Sequence, residues 1–124
     1  MACTYCYQHN KSSNKMTWET AKTTIDKLFE LDAEKYSTLI VEFIGGEPLM
    51  EIDLINEITE YIIIKLINSH HPWLKFFRIS ICSNGLLYDT PKVQNYFKKY
   101  HEWIALAITI DGNQALHDKC RLDL

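Results

Sequence analysis

Three short apolar runs, each preceded by a stretch of helical periodicity, constrain this chain more than any other feature. The runs are "STLIVEFI", "FFRISIC" and "WIALAITI". They are rich in β-branched and aromatic residues and read as strands. Before the first, "TWETAKTTIDKLFEL" places Trp18, Ala21, Ile25, Leu28 and Phe29 at helical spacing, with Thr17 as N-cap. Between the first and second, "DLINEITEYIIIKLI" carries Leu54, Ile55, Ile58, Tyr61 and Ile62 on one stripe. Between the second and third, "TPKVQNYFKKY" opens with Thr90 as N-cap and Pro91 at the first helical position, where a missing N–H costs nothing. Strands separated by helices predict parallel pairing through right-handed crossovers. The nearly continuous apolar character of the strands predicts that both faces of the sheet are covered. Glu42 interrupts the first strand, and its carboxylate requires a wet interior, a partner or an exposed rim.

Three strands are too few to close a barrel, and parallel sheets rarely keep bare edges. A complete (β/α)₈ barrel takes roughly 250 residues, whereas this chain has 124. The predicted fold is therefore α/β, a single unit over residues 1–124 that makes a parallel-sheet fragment of a partial TIM barrel, about half of one. No repeat, low-complexity tract or linker divides it.

Charge and composition exclude some functions. The net charge of −3 and pI near 5.9 argue against a protein held mainly by nucleic-acid phosphates. No apolar run reaches the roughly 18–20 residues that cross a bilayer. The longest, "YIIIKLI", is interrupted by Lys65, and the first residues lack the layout of a secretory signal. Four cysteines, Cys3, Cys6, Cys82 and Cys120, are too few and too uneven for a disulfide framework. The expectation is a cytoplasmic chain with reduced thiols, in which C-x-x-C means metal or redox chemistry.

The unusual residues gather where the strands end. After the first strand comes "GGEP", Gly45 to Pro48; after the second, "SNG", Ser83 to Gly85; after the third, Asp111-Gly112, with "HDKCR" beyond. The C-terminal edge of a parallel sheet is where α/β proteins bind ligands. "GGEP" reads either as a tight strand-to-helix turn or as a ligand loop. In the second reading Gly45 and Gly46 admit close approach and Glu47 accepts from an ammonium group. "SNG" reads as a turn or as a pair of hydrogen-bonding groups, Ser83 and Asn84. In the third cluster Asp111-Gly112 suits a turn and His117-Asp118 a helix start, while the Arg121 guanidinium can clamp a carboxylate. At the N-terminus, Cys3 and Cys6 form a C-x-x-C pair that serves a disulfide, zinc or iron–sulfur. Among the rest, Cys82 is expected in the core and Cys120 as a free thiol on a helix or loop. His70, His71 and the Lys98-Lys99 pair are expected in solvent, as is His9 unless it assists a metal.

Taken together, "CTYCYQ", "FIGGEPLM", "SNGLL" and "TIDGNQALHDKCR", in this order, resemble the radical S-adenosylmethionine (SAM) enzymes over almost the whole chain. The nearest resemblance is to anaerobic sulfatase-maturating enzymes and their peptide-modifying relatives. It implies an oxidoreductase core that binds a [4Fe–4S] cluster through a C-x-x-x-C-x-x-C motif and cleaves SAM to a 5′-deoxyadenosyl radical. By motif, Cys3 and Cys6 are the second and third cluster ligands. Tyr5 lies near the adenine of SAM, and Gly45, Gly46 and Glu47 receive its amino group. Ser83 and Asn84 line the pocket, Thr109 reaches the ribose, and Arg121 pairs with the carboxylate. The implied partner is a peptide or protein substrate of the parent enzyme, with no nucleic acid and no membrane.

The motif's first cysteine would fall before Met1. The preceding strand and the later strands are absent too, so the expectation is a core truncated at both ends and not catalytic alone. Two rivals stay open at this point. One is a non-catalytic truncated homologue that self-associates through open sheet edges. The other is a thiol-redox or zinc protein built on Cys3 and Cys6.

Overall fold

The computed structural model describes residues 2–8 and 14–122. In chain order these form β1 (Ala2–Cys3), α1 (Trp18–Leu28), β2 (Ile40–Phe43), α2 (Ile52–Asn68), β3 (Arg78–Ser83), α3 (Pro91–Tyr100), β4 (Ile104–Ile108), α4 (Gln114–Cys120) and β5 (Arg121–Leu122). Short 3₁₀ turns, Pro48–Glu51 and Pro72–Phe76, lead into α2 and β3.

The expected parallel sheet is present, in the order β2-β3-β4. Val41 pairs with Ile79 and Phe43 with Ile81; on the other side Ile79 pairs with Ile104 and Ile81 with Leu106. These residues share one face, and α1, α2 and α3 all pack on it. Ala21 and Ile25 of α1, Ile55, Ile58 and Ile62 of α2, and Val93 and Tyr96 of α3 join Ile79 and Ile81 in one buried cluster. Thr17 caps α1 by accepting the Thr20 N–H at 3.2 Å. Thr90 occupies the N-cap position of α3, but its hydroxyl donates to the Leu87 carbonyl instead.

Polar residues tie the helical layer together. The Asp26 carboxylate on α1 accepts from Lys22, Lys65 and Tyr61, at 2.7, 2.5 and 2.6 Å. These donors hold the Asp26 carboxyl well below the usual carboxylate range, Lys22 contributing most. Between α2 and α3 the buried Thr59 and Tyr96 hydroxyls share a hydrogen bond of 2.8 Å. Burial pushes the Tyr96 phenol up to about 12.

Several expectations need correction. Only one face of the sheet is covered among the described residues. The opposite face, formed by alternate residues, leaves Ile40, Glu42, Arg78, Cys82, Ala105 and Ala107 exposed. Apolar strands therefore did not mean two covered faces: small alanines and an exposed Ile40 line the bare one. Cys82 is on that face and is not a core residue, because the alternation that buries Ile81 and Ser83 turns it outward. Glu42 meets its requirement by exposure. His71 is half-buried against Phe29 and Trp73, not solvated, and burial lowers its pKa. The helix near the C-terminus starts at Gln114, capped by the Asn113 side chain, so His117 and Asp118 are inside it. An antiparallel ribbon, β1 with β5, was not anticipated. The expectation for His9 lies outside the described residues. No helix among the described residues is long and apolar enough to cross a membrane.

Candidate functional site

Each parallel strand ends in a loop that needs a left-handed backbone. Gly45 and Gly46 have φ of 90° and 55°, Gly85 82° and Gly112 78°. An L side chain is strained at such angles, so glycine sets the course of all three loops. Over Gly46 an added Cβ would meet nothing within 4 Å, leaving open space above that backbone.

Glu47 binds two of these loops to each other. Its Oε1 accepts from the Ser83 hydroxyl at 2.7 Å and from the Leu49 N–H at 3.1 Å. Its Oε2 accepts from the Asn84 N–H at 2.9 Å. Ser83, buried to 4% exposure, accepts in turn from the Gly85 N–H at 2.9 Å. A carboxylate offers about four lone-pair directions, so one on Oε2 stays available. The Thr109 N–H donates to the Ser83 carbonyl at 3.2 Å, tying the end of β4 to the end of β3.

The cysteine loop sits on this same edge. Cys3 pairs with Arg121 in the β1–β5 ribbon, and the Thr4 N–H donates to the Cys120 carbonyl at 2.9 Å. The Cys6 N–H donates to the Cys3 carbonyl at 3.1 Å, so both half-buried thiols belong to one tight turn. The Tyr5 hydroxyl donates to Asp111 Oδ2 at 2.6 Å. Arg121 donates through Nε to the same oxygen at 2.5 Å, and through Nη2 to the Tyr5 oxygen at 2.8 Å. These contacts, the Tyr5 hydrogen bond foremost, lower the Asp111 pKa; the bond to Asp111 raises that of Tyr5. Across the same edge, at the end of β2, the Gln8 side chain accepts from the Gly46 N–H at 3.1 Å. A Cβ on Gly45 would stand 2.9 Å from Gln8 Nε2. The loop thus rests on the β2 end through Gln8 and on the β4 end through Tyr5.

Of the residues singled out by sequence, Glu47, Ser83 and Asn84 make one cluster and Tyr5 and Arg121 another, while Thr109 joins the first through its backbone. Two contributors were missed. Asp111 had been read only as a turn residue, and Gln8 had no reading of its own although it closes the quoted "CTYCYQ". Neither residue type nor spacing signals contacts across more than thirty positions. A cleft of about 1150 Å³ opens beside β2, from Tyr7, Gln8 and the Gly45-Gly46-Glu47 loop down between α1 and α2. Its lower walls are apolar.

Two cysteine sulfurs on one tight, half-buried turn suit two corners of an iron–sulfur cluster. No group of three His, Cys, Asp or Glu side chains that could hold a metal occurs among the described residues. Among the described residues Cys3 and Cys6 are thus two of the ligands that a zinc ion or an iron–sulfur cluster would need. The helix that follows the cysteines begins only at Trp18, unlike a thioredoxin-type site at a strand-to-helix junction.

The family model described as the radical SAM superfamily matches residues 1–122. The uncharacterized protein MJ0907 of Methanocaldococcus jannaschii is 42% identical over 59 residues, which is 48% of this chain and 19% of that protein. A cysteine-type anaerobic sulfatase-maturating enzyme of Clostridium novyi is 30% identical over 131 aligned positions, 99% of this chain and 32% of that protein. The chain spans a third or less of the length of these relatives.

Proposed function

The chain belongs to the radical SAM superfamily, and on that ground we propose that its strand-end edge is the cofactor site of an oxidoreductase core that modifies a peptide or protein. The observation that carries the reading is the seating of the Cys3–Cys6 turn on the edge that also holds Glu47, Ser83, Asn84 and Arg121. Similarity to the Clostridium novyi sulfatase-maturating enzyme supports a protein side chain as substrate.

In this reading Cys3 and Cys6 would supply two of the three cysteine ligands of a [4Fe–4S] cluster, the third coming from outside the described residues, and the strand-end loops would hold SAM. The two cofactors together supply a 5′-deoxyadenosyl radical that abstracts hydrogen from the substrate. The chain's own residues bind and orient. The open backbone at Gly46 would admit the SAM amino group, Gly45 being covered by Gln8, and the remaining Oε2 lone pair of Glu47 would accept from it. Arg121 has five N–H donors, of which two serve Asp111 and Tyr5; the SAM carboxylate would have to reach the others on a side chain only 8% exposed. Tyr5 would flank the adenine, Asn84 would line the pocket and Thr109 would meet the ribose.

The test is iron uptake after anaerobic incubation with iron and sulfide. The chain retains iron, and the Cys3→Ser/Cys6→Ser double variant does not. Equal retention by both proteins would remove the cysteines from the site.

A further inference from the structure

We propose that Asp111 is a positioning residue that seats the cysteine loop, fixing through Tyr5 and Arg121 where Cys3 and Cys6 stand on the strand-end edge. The role toward a cluster rests on the reading of Cys3 and Cys6 given above; the seat itself does not.

Two donors from separate elements converge on one carboxylate oxygen that belongs to a third. Tyr5 follows β1, Asp111 follows β4 and Arg121 opens β5. Asp111 Oδ2 accepts from both Tyr5 and Arg121, and Arg121 closes the triangle onto the Tyr5 oxygen. The pair is largely withdrawn from solvent: the Arg121 side chain is 8% exposed and that of Asp111 20%. Charge-assisted hydrogen bonds are strongest and most directional where water competes least.

Tyr5 is 54% exposed. Packing does little to immobilise a side chain so open, so its hydroxyl is its main anchor, with the Arg121 guanidinium 5.9 Å from the ring centroid beside it. Asp111 is itself fixed from behind, its N–H donating to His117 Nδ1 at 3.2 Å on α4. The turn from Cys3 to Cys6 is therefore held at two points. The ribbon pairing holds Cys3, and the Tyr5 phenol holds the residue just before Cys6.

The experiment uses the metal-free, reduced chain and N-ethylmaleimide, with the alkylation rate of each cysteine read by peptide mass spectrometry. Cys82, exposed on the bare sheet face, is the internal reference. Tyr5→Phe deletes a single oxygen and should raise the rate at Cys6 about threefold or more, with Cys82 unchanged. Asp111→Ala should do the same, and the double variant should be no faster than Asp111→Ala alone, since both act through one unit. An unchanged Cys6 rate in Tyr5→Phe would overturn the proposal. So would an equal rise at Cys82, which marks general loosening. Iron uptake gives the second readout: Tyr5→Phe should retain less iron than the parent chain. A parent chain that takes up no iron refutes the cofactor reading, while the alkylation rates still decide the seat.

Discussion

Replacing Glu47 by Gln should weaken the fold before any ligand is added. The carboxylate accepts three hydrogen bonds, from the Ser83 hydroxyl and from the Asn84 and Leu49 N–H groups. A glutamine amide cannot reproduce them. With its NH₂ at the Oε2 position it faces the Asn84 N–H, and with its NH₂ at the Oε1 position it faces the Leu49 N–H. Either orientation sets a donor against a donor and removes the charge from the remaining bonds. A hydrogen bond to a charged group contributes roughly 1.5–3 kcal/mol. Because Glu47 is half-buried, a loss of ~2 kcal/mol is the expected net effect. For a domain of this size that lowers Tm by about 5–10 °C. Urea unfolding of the metal-free chain measures it directly. Ser83→Ala should cost less, ~1 kcal/mol, and should couple to Glu47→Gln in a double-mutant cycle. If Glu47→Gln leaves the unfolding midpoint unchanged in the absence of SAM, the clamp described between the two loops is wrong.

The Asp26 node gives a pH dependence. Its folded pKa is depressed, chiefly by Lys22 and then by Lys65 and Tyr61. Its contribution is therefore full above the unfolded carboxyl pKa of about 3.9 and is lost as pH falls below that toward the folded value. Unfolding midpoints should show Asp26→Asn less stable than the parent at pH 7 and the gap closing in acid. Between α2 and α3, Tyr96→Phe leaves the fully buried Thr59 hydroxyl without its partner and should cost ~1–2 kcal/mol in urea, whereas the paired Thr59→Val/Tyr96→Phe change should cost less than either change alone. Gly45→Ala should destabilise by ~1–3 kcal/mol, from its positive φ and from displacing Gln8, and differential scanning calorimetry checks it. Among the described residues β2 and β4 each pair on one side only, so light scattering should detect dimers or larger species at rising concentration.

The parallel sheet and its helices were legible because periodicity records burial. Ala21, Ile25, Ile55, Ile58 and Ile62 are inside for the reason their spacing predicts. The bare face was not legible, because Ile40, Ala105 and Ala107 look alike whether they face a layer or solvent. Cys82 shows the same limit: hydrophobic type places it in the core, and a one-residue alternation puts it outside. At the site, glycine positions and strand ends could be read locally, and all four glycines do take positive φ. What could not be read is partnership over distance. Glu47 and Arg121 were expected to wait for a ligand. The fold uses each first as a strut, Glu47 between two loops and Arg121 between Asp111 and Tyr5. Asp111 looked like a turn residue because its role exists only once β1 lies beside β5.

The central claim is that the edge bearing Cys3, Cys6, Glu47 and Arg121 holds an iron–sulfur cluster against SAM. Electron paramagnetic resonance of the anaerobically reconstituted, reduced chain tests it most directly, with spectra taken before and after SAM is added. A cluster signal should appear, change on adding SAM and disappear in the Cys3→Ser/Cys6→Ser variant. A signal indifferent to SAM, or no cluster signal from the parent chain, would contradict it.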